Sequence, residues 1–136
     1  MAAVPPEAAE ILRRFRRVAV VGISERPERP SHYVAAYLRD VGYTILPVNP
    51  QLDTVLGLPC WPSLEAVPPP VEVVEVFRRS EQAGAVVDDA IRAGARAVWM
   101  QQGVVDAAAA ARARAAGLLV VMDRCMLRDH RALAAA

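Results

Sequence analysis

The segment Gly22-Ile23-Ser24-Glu25-Arg26-Pro27-Glu28-Arg29-Pro30-Ser31 carries the residue types best suited to gripping an anion. Gly22 permits a tight turn and close backbone approach, and Arg26 and Arg29 bring two guanidinium forks. Ser31, read as a helix cap, opens a helix whose first amides, through His32 and Tyr33, are donors for a phosphate. A plain polar loop with a cap is the competing reading of the same residues. A second cluster, Phe77-Arg78-Arg79-Ser80, sets an aromatic ring beside two cations before another helix start, which suits an adenine and a phosphate. Asn49-Pro50 gives a fixed turn with an amide for a base or ribose, or turn chemistry alone. Gln101, Gln102 and Gly103 add neutral amides that hydrogen-bond but cannot move a proton.

General acid–base and covalent chemistry find less to work with. His32 and His130 are the only histidines, one in the first turn of a helix and one near the C-terminus, and neither has a carboxylate partner at a placed spacing. Ser24 lacks the Gly-x-Ser-x-Gly setting of a hydrolase nucleophile. Cys60 and Cys125 are far apart and have no histidine at ligand spacing, which excludes a zinc motif and a disulfide framework. Cys125 follows Asp123-Arg124 at a helix start, a setting that lowers a thiol pKa, although a packed small residue is the plainer reading.

Composition narrows the classes further. All 16 cations are arginines, so any anion site must use guanidinium groups or backbone amides. A net charge of +1 gives no clustered basic field of the kind nucleic acid demands. A hydrophobic content of 54% with mean hydropathy +0.22 over 136 residues fits one domain with a generous core. The longest apolar runs are strand-length, and the opening Met1-Ala2-Ala3-Val4-Pro5-Pro6 lacks the pattern of a signal peptide. The expectation is a cytoplasmic protein that engages neither membrane nor nucleic acid.

The elements that must position these groups alternate. Apolar runs predict strands at Arg17–Ile23, Tyr43–Val48, Val71–Phe77, Ala97–Met100 and Leu118–Met122. Helices are predicted at Ser31–Val41, with a stripe of Val34, Tyr37, Leu38 and Val41, at Ser80–Ala93, with Ser80 as cap, at Val104–Ala116 and at Arg124–Ala134. Residues 1–16 form a helical extension before the first strand, with the helix itself at Pro6–Arg16. The proline-rich stretch Gln51–Pro70 reads as an irregular crossover with a helical turn at Ser63–Val67. Strand–helix alternation of this kind gives an α/β, Rossmann-like three-layer fold: a five-stranded, mostly parallel sheet with helices on both faces. In such a sheet a ligand sits beyond the carboxyl ends of the strands, where strand order reverses. The dinucleotide fingerprint G-x-G-x-x-G is absent, and Asn49 stands where a ribose-gripping acid would be.

Taken together, Val18-Ala19-Val20-Val21-Gly22-Ile23-Ser24, Pro47-Val48-Asn49-Pro50, Val76-Phe77-Arg78-Arg79, Val98-Trp99-Met100-Gln101-Gln102-Gly103 and Val121-Met122-Asp123-Arg124-Cys125 resemble the small stand-alone CoA-binding domain proteins. Those are similar to the N-terminal CoA-binding domain of the succinyl-CoA synthetase alpha subunit, and the likeness runs from about Arg13 to His130. It implies coenzyme A as cofactor at the carboxyl edge of the sheet. Gly22, Ile23 and Ser24 with Ser31, His32 and Tyr33 would hold phosphates. Asn49, Pro50, Phe77, Arg78 and Arg79 would border the adenosine, and Gln101 and Gly103 would lie on the ligand's other side. One of Arg26, Arg29, Arg78 or Arg79 is expected at the ribose 3′-phosphate. The synthetase keeps its phosphorylated histidine in a second domain, and no counterpart of that domain is expected here. The expected function is therefore CoA or acyl-CoA binding without catalysis, as a homo-oligomer or beside a ligase-type subunit. The alternative is a nucleotide-dependent enzyme component, either a detached acyl-CoA ligase subunit or a small NAD(P)-binding reductase.

Overall fold

The computed structural model describes residues 3–135; Met1, Ala2 and Ala136, including the first two residues of the opening segment read above, lie outside them. Helix α1 (Pro6–Arg14) precedes strand β1 (Arg17–Val21), then α2 (Pro30–Asp40) and β2 (Thr44–Val48). A two-stranded hairpin, β3 (Thr54–Val55) and β4 (Leu58–Pro59), and a 3₁₀ turn at Leu64–Ala66 lead to β5 (Val73–Val76). The chain closes with α3 (Ser80–Arg92), β6 (Ala97–Met100), α4 (Ala107–Ala115), β7 (Leu119–Val121) and α5 (Met126–Ala135). The five long strands form one sheet in the order β2-β1-β5-β6-β7, and every pairing is parallel.

Both faces of the sheet are covered, which is why its strands are mostly apolar rather than alternating. On one face Ala19, Val21, Val74, Val76, Val98 and Met100 pack against Ala83, Val87 and Ala90 of α3 and Ala109, Ala110 and Ala113 of α4. On the other, Val18, Val20, Val73, Ala97 and Trp99 pack against α1, α2 and α5 through Ile11, Leu12, Val34, Leu38, Met126 and Leu127. The chain leaves β1 toward β2 at one edge and leaves β5 toward β6 in the other direction. The reversal therefore falls between β1 and β5, and the residues just past their ends are Gly22 and Phe77.

Several local expectations need correction. The crossover after β2 holds a small antiparallel hairpin, turned by Leu56 and Gly57 at φ 55° and 71°. This pairing of positive φ values suits a tight hairpin turn. Val41 is not on the buried stripe of α2 but at its end, 41% exposed, because the helix stops at Asp40. Neither Ser31 nor Ser80 caps a helix: Arg29 and Arg79 occupy the cap positions without a side-chain bond. Ser80 Oγ instead accepts from the Val105 amide at 2.9 Å, tying the start of α3 to the loop after β6.

The helix at 107–115 begins three residues later than expected because Asp106 is its cap rather than part of its first turn. Its carboxylate accepts from the Ala109 amide at 2.9 Å. With a nearly all-alanine sequence, α4 has few side chains other than this cap to fix where it starts. Asp106→Ala is expected to cost about 1 kcal/mol of stability, read as a lower denaturation midpoint with unchanged m-value.

Candidate functional site

The site begins where β1 ends. The Gly22 amide donates to Val48 O at 2.9 Å, and the backbone turns with φ +93°. A methyl group at this position would lie 2.2 Å from the Phe77 carbonyl oxygen, so only glycine lets the two central strands finish this close together. The loop that follows is pinned by side chains rather than left free. The Ser24 amide donates to Ser31 Oγ at 2.9 Å, the Arg26 amide donates to Ser24 Oγ at 3.1 Å, and His32 Nδ1 lies 2.9 Å from Ser24 O. Asn49 Nδ2 donates to Ile23 O at 2.7 Å from the end of β2, while its Oδ1 accepts from the Gln51 amide at 2.8 Å. Asn49 is thus spent on bracing the loop.

A cavity of about 1070 Å³ opens at this point. Gly22, Phe77 and Gln101, just past the ends of β1, β5 and β6, form its floor, and its mouth is formed by Ser24, Arg26, Arg29 and Ser31 from the first loop with Arg78 and Gln102. It continues as a groove between α2 and α5, with Tyr33, Ala36, Tyr37 and Asp40 on one wall and Leu127, Arg128 and Arg131 on the other. On α2 those residues repeat at three- and four-residue spacing, one helix face along its whole length. Cys125 lies in the wall between the mouth and the groove.

Nine of the fifteen residues expected at the site line this cavity: Gly22, Ser24, Arg26, Arg29, Ser31, Tyr33, Phe77, Arg78 and Gln101. The other six do not. Ile23 is fully buried in the core beneath α2. His32 faces the loop carbonyl, Asn49 is engaged as described, and Pro50 is exposed on the turn beyond it. Arg79 is the cap residue of α3, and the Gly103 amide is held by Asp123 Oδ1 at 2.7 Å. The groove half of the cavity was not anticipated, because the adjacency of α2 and α5 joins residues some ninety positions apart.

Charge in the cavity is one-sided. Arg26, Arg29, Arg78, Arg128 and Arg131 line it against a single carboxylate, Asp40, and none of the five is in a salt bridge among the described residues. Arg128 reaches Gln102 Oε1 at 3.4 Å and Arg131 lies over the Tyr37 ring at 5.1 Å. The start of α2 contributes less than its position suggests. His32 and Tyr33 already donate their amides to the Arg29 carbonyl, and Pro30 has none, which leaves the Ser31 amide. The cationic groups that line the cavity are all guanidinium groups.

The far side is held rigid. Arg124 makes a two-pronged ion pair with the buried Asp129 at 2.7 and 2.8 Å, and that bond lifts its pKa above the ordinary arginine value. Trp99 Nε1 donates to Arg124 O at 2.8 Å, and the Met126 amide donates to Gln101 Oε1 at 3.3 Å. His130 lies 2.7 Å from the Tyr37 hydroxyl, and burial, helped by the charge of Arg16, lowers its pKa. Among the described residues no group of three or more potential ligands could hold a metal ion, and no helix is long and apolar enough to cross a membrane.

Comparison with known proteins gives a consistent set of relatives. The profile of the CoA binding domain family matches residues 16–131. The protein YneT of Bacillus subtilis is 43% identical over 124 residues, 91% of this chain and 92% of its own. The structure of a hypothetical protein from Pyrococcus horikoshii superposes with TM-score 0.91 at 37% identity, over 98% of this chain and 99% of that one. A dinucleotide forming acetyl-coenzyme A synthetase 1 from Ca. Korarchaeum cryptofilum, in complex with phosphate and ADP, superposes with TM-score 0.72 at 26% identity. That match spans 81% of this chain and 26% of the synthetase.

Proposed function

The chain belongs to the CoA binding domain family, and from that premise we propose that its cavity holds coenzyme A or an acyl-CoA without performing chemistry on it. The observation that carries this reading is the set of five arginines without salt bridges, facing one carboxylate, around a cavity at the reversal point of the sheet. A ligand with a pyrophosphate and a third phosphate matches such a set. Its volume of about 1070 Å³ lies at the upper end of ligand pockets, suited to a long nucleotide rather than a small metabolite.

Arg26, Arg29 and Ser31 are the residues that would meet phosphates, and Phe77 with Arg78 would flank the adenine. Gln101 would meet neutral amides of the ligand's arm. Support for binding without catalysis comes from the polar groups themselves. The two histidines are committed to Ser24 O and Tyr37, and among the described residues no carboxylate is hydrogen-bonded to a thiol or hydroxyl of the cavity. The synthetase likeness favours a second reading, a component of a larger acyl-CoA ligase assembled from separate chains. Co-purification of a ligase-type subunit would select it.

Isothermal titration with CoA, NAD and NADP tests the first reading. CoA is expected to bind more tightly than either dinucleotide, and Arg78→Ala to weaken CoA binding about tenfold, the worth of one charge-assisted contact. Equal or tighter binding of NAD(P) overturns the proposal.

A further inference from the structure

We propose that Glu75 makes occupancy of the cavity proton-dependent: CoA binds the form in which this carboxyl is neutral, and its ionisation deforms the cavity floor. The proposal rests on the CoA reading above and concerns the regulation of the same site. Glu75 lies in the central strand β5 and is fully buried. Neither of its carboxyl oxygens has a hydrogen-bond partner, and they are the only buried side-chain atoms in that condition among the described residues. In register, Val20 of β1 stands on one side and Trp99 of β6 on the other. Two residues further along the same strands, on the same face, come Gly22, Phe77 and Gln101, which form the cavity floor. The buried carboxyl therefore sits one side-chain layer beneath the site, about 7 Å along the strand.

No cation answers it. The titratable groups on the covering elements have partners of their own: His32 of α2 with Ser24 O, Tyr37 of α2 with His130 of α5, and Asp129 of α5 with Arg124. On α1, Glu7 is held by Arg114 and the Val120 amide, and Glu10 by Arg14. Tyr43, before β2, donates to Leu12 O, with Arg16 over its ring. Cys125, at the entry to α5, lines the cavity itself. Burial alone pushes the Glu75 carboxyl up to about 8. Once ionised, it must find water or a donor. Side chains in strands lean along the strand, so the hydrated space open to it is the cavity, and the route passes Phe77 and Gln101. Gln101 also holds the first amide of α5. Displacing it loosens the wall from which Arg128 and Arg131 project. By linkage, a ligand that requires this floor intact raises the proton affinity of Glu75.

The test is CoA titration by calorimetry at pH 6.5 and pH 9 for the wild type and Glu75→Gln, which keeps the shape and cannot ionise. The ligand's own titrating groups are common to both proteins. The wild type is expected to lose about tenfold more affinity between the two pH values than the variant, because about one molecule in ten remains neutral at pH 9. A second readout needs no variant: the carboxyl-carbon resonance of Glu75 in wild-type protein, whose titration midpoint should rise by well over one unit on saturation with CoA. Parallel affinity curves, or a midpoint that CoA leaves in place, overturn the proton link. Absence of CoA binding at pH 6.5 in both proteins overturns the CoA reading, and the link with it.

Discussion

Glu75→Gln is expected to become progressively more stable than the wild type as pH rises from 4.5 to about 8, with no further gain above that. The sign follows from proton counting. In the folded protein burial holds the Glu75 carboxyl protonated up to about 8, whereas in the unfolded chain it ionises near its ordinary value of 4.5. Between those limits the unfolded state binds fewer protons, so wild-type stability falls with pH, by about 1.4 kcal/mol per unit. The loss reaches about 3 kcal/mol at pH 7 and about 5 kcal/mol at the plateau, a large share of the stability of a domain this size. Two other groups shape the curve in the opposite sense. His130, its pKa lowered by burial and by Arg16, adds stability as pH rises toward 6.5. Burial pushes Glu72 up, but the amides of Arg16 and Arg17, together with the charges of Arg17 and Arg96, outweigh it and leave it lowered, so its contribution is lost only as pH falls below 4.5. Both are common to the two proteins and cancel in the difference. Chemical denaturation at pH 5, 6, 7 and 8 measures it. A difference that stays constant across that range would show that Glu75 is ionised in the folded protein and solvated in some other way.

How this carboxyl escaped a sequence reading is instructive. Val71–Phe77 reads as a buried strand on hydrophobicity alone, and the two glutamates within it look like ordinary interruptions. In a sheet covered on one face only, a glutamate can point to water, and alternation would decide which one does. Here α3 and α4 cover one face and α1, α2 and α5 the other, so any acid within β5 is buried whichever way it points. Glu72 escapes because it precedes the strand and takes the Arg16 and Arg17 amides, both at 2.9 Å. Glu75 has no such exit. The alternation of strands and helices, which was legible, therefore already contained the warning.

The floor and mouth of the cavity were legible for a similar reason. Parallel topology places the ends of β1, β5 and β6 together, and Gly22, Arg78 and Gln101 are read directly from those ends. Asn49 was not resolved by residue type, because bracing a turn and offering an amide use the same group. Only the bond to Ile23 O decides between them. The groove between α2 and α5 had no local signal at all. Tyr33, Ala36, Tyr37 and Asp40 share a helix face, but nothing in the sequence says that Leu127, Arg128 and Arg131 stand opposite.

Gly22→Ala is expected to cost about 3 kcal/mol of stability and to abolish measurable CoA binding. Two effects act together, and the structure allows them to be separated. A residue with φ +93° carries a backbone penalty for any L side chain, about 1–2 kcal/mol. Gly103 bears the same penalty at φ +91°, but a methyl group there would meet nothing within 4 Å. At Gly22 the methyl carbon would stand 2.2 Å from the Phe77 carbonyl oxygen and 3.0 Å from its carbonyl carbon. Backbone cannot swing aside as the end of a flexible side chain does. Either β1 or β5 must shift at its carboxyl end, and the Gly22–Val48 and Phe77–Val21 hydrogen bonds, each 2.9 Å, lie on those ends. Crowding should therefore exceed the conformational penalty, and Gly103→Ala should lose clearly less stability than Gly22→Ala in parallel urea titrations. Equal losses would mean that the strand ends yield cheaply and that the close approach at Gly22 is incidental. With crowding dominant, the displaced atoms are those of Gly22 and Phe77, two of the residues that floor the cavity. The loss of CoA affinity should then exceed what global destabilisation accounts for, and persist at temperatures where the variant is fully folded.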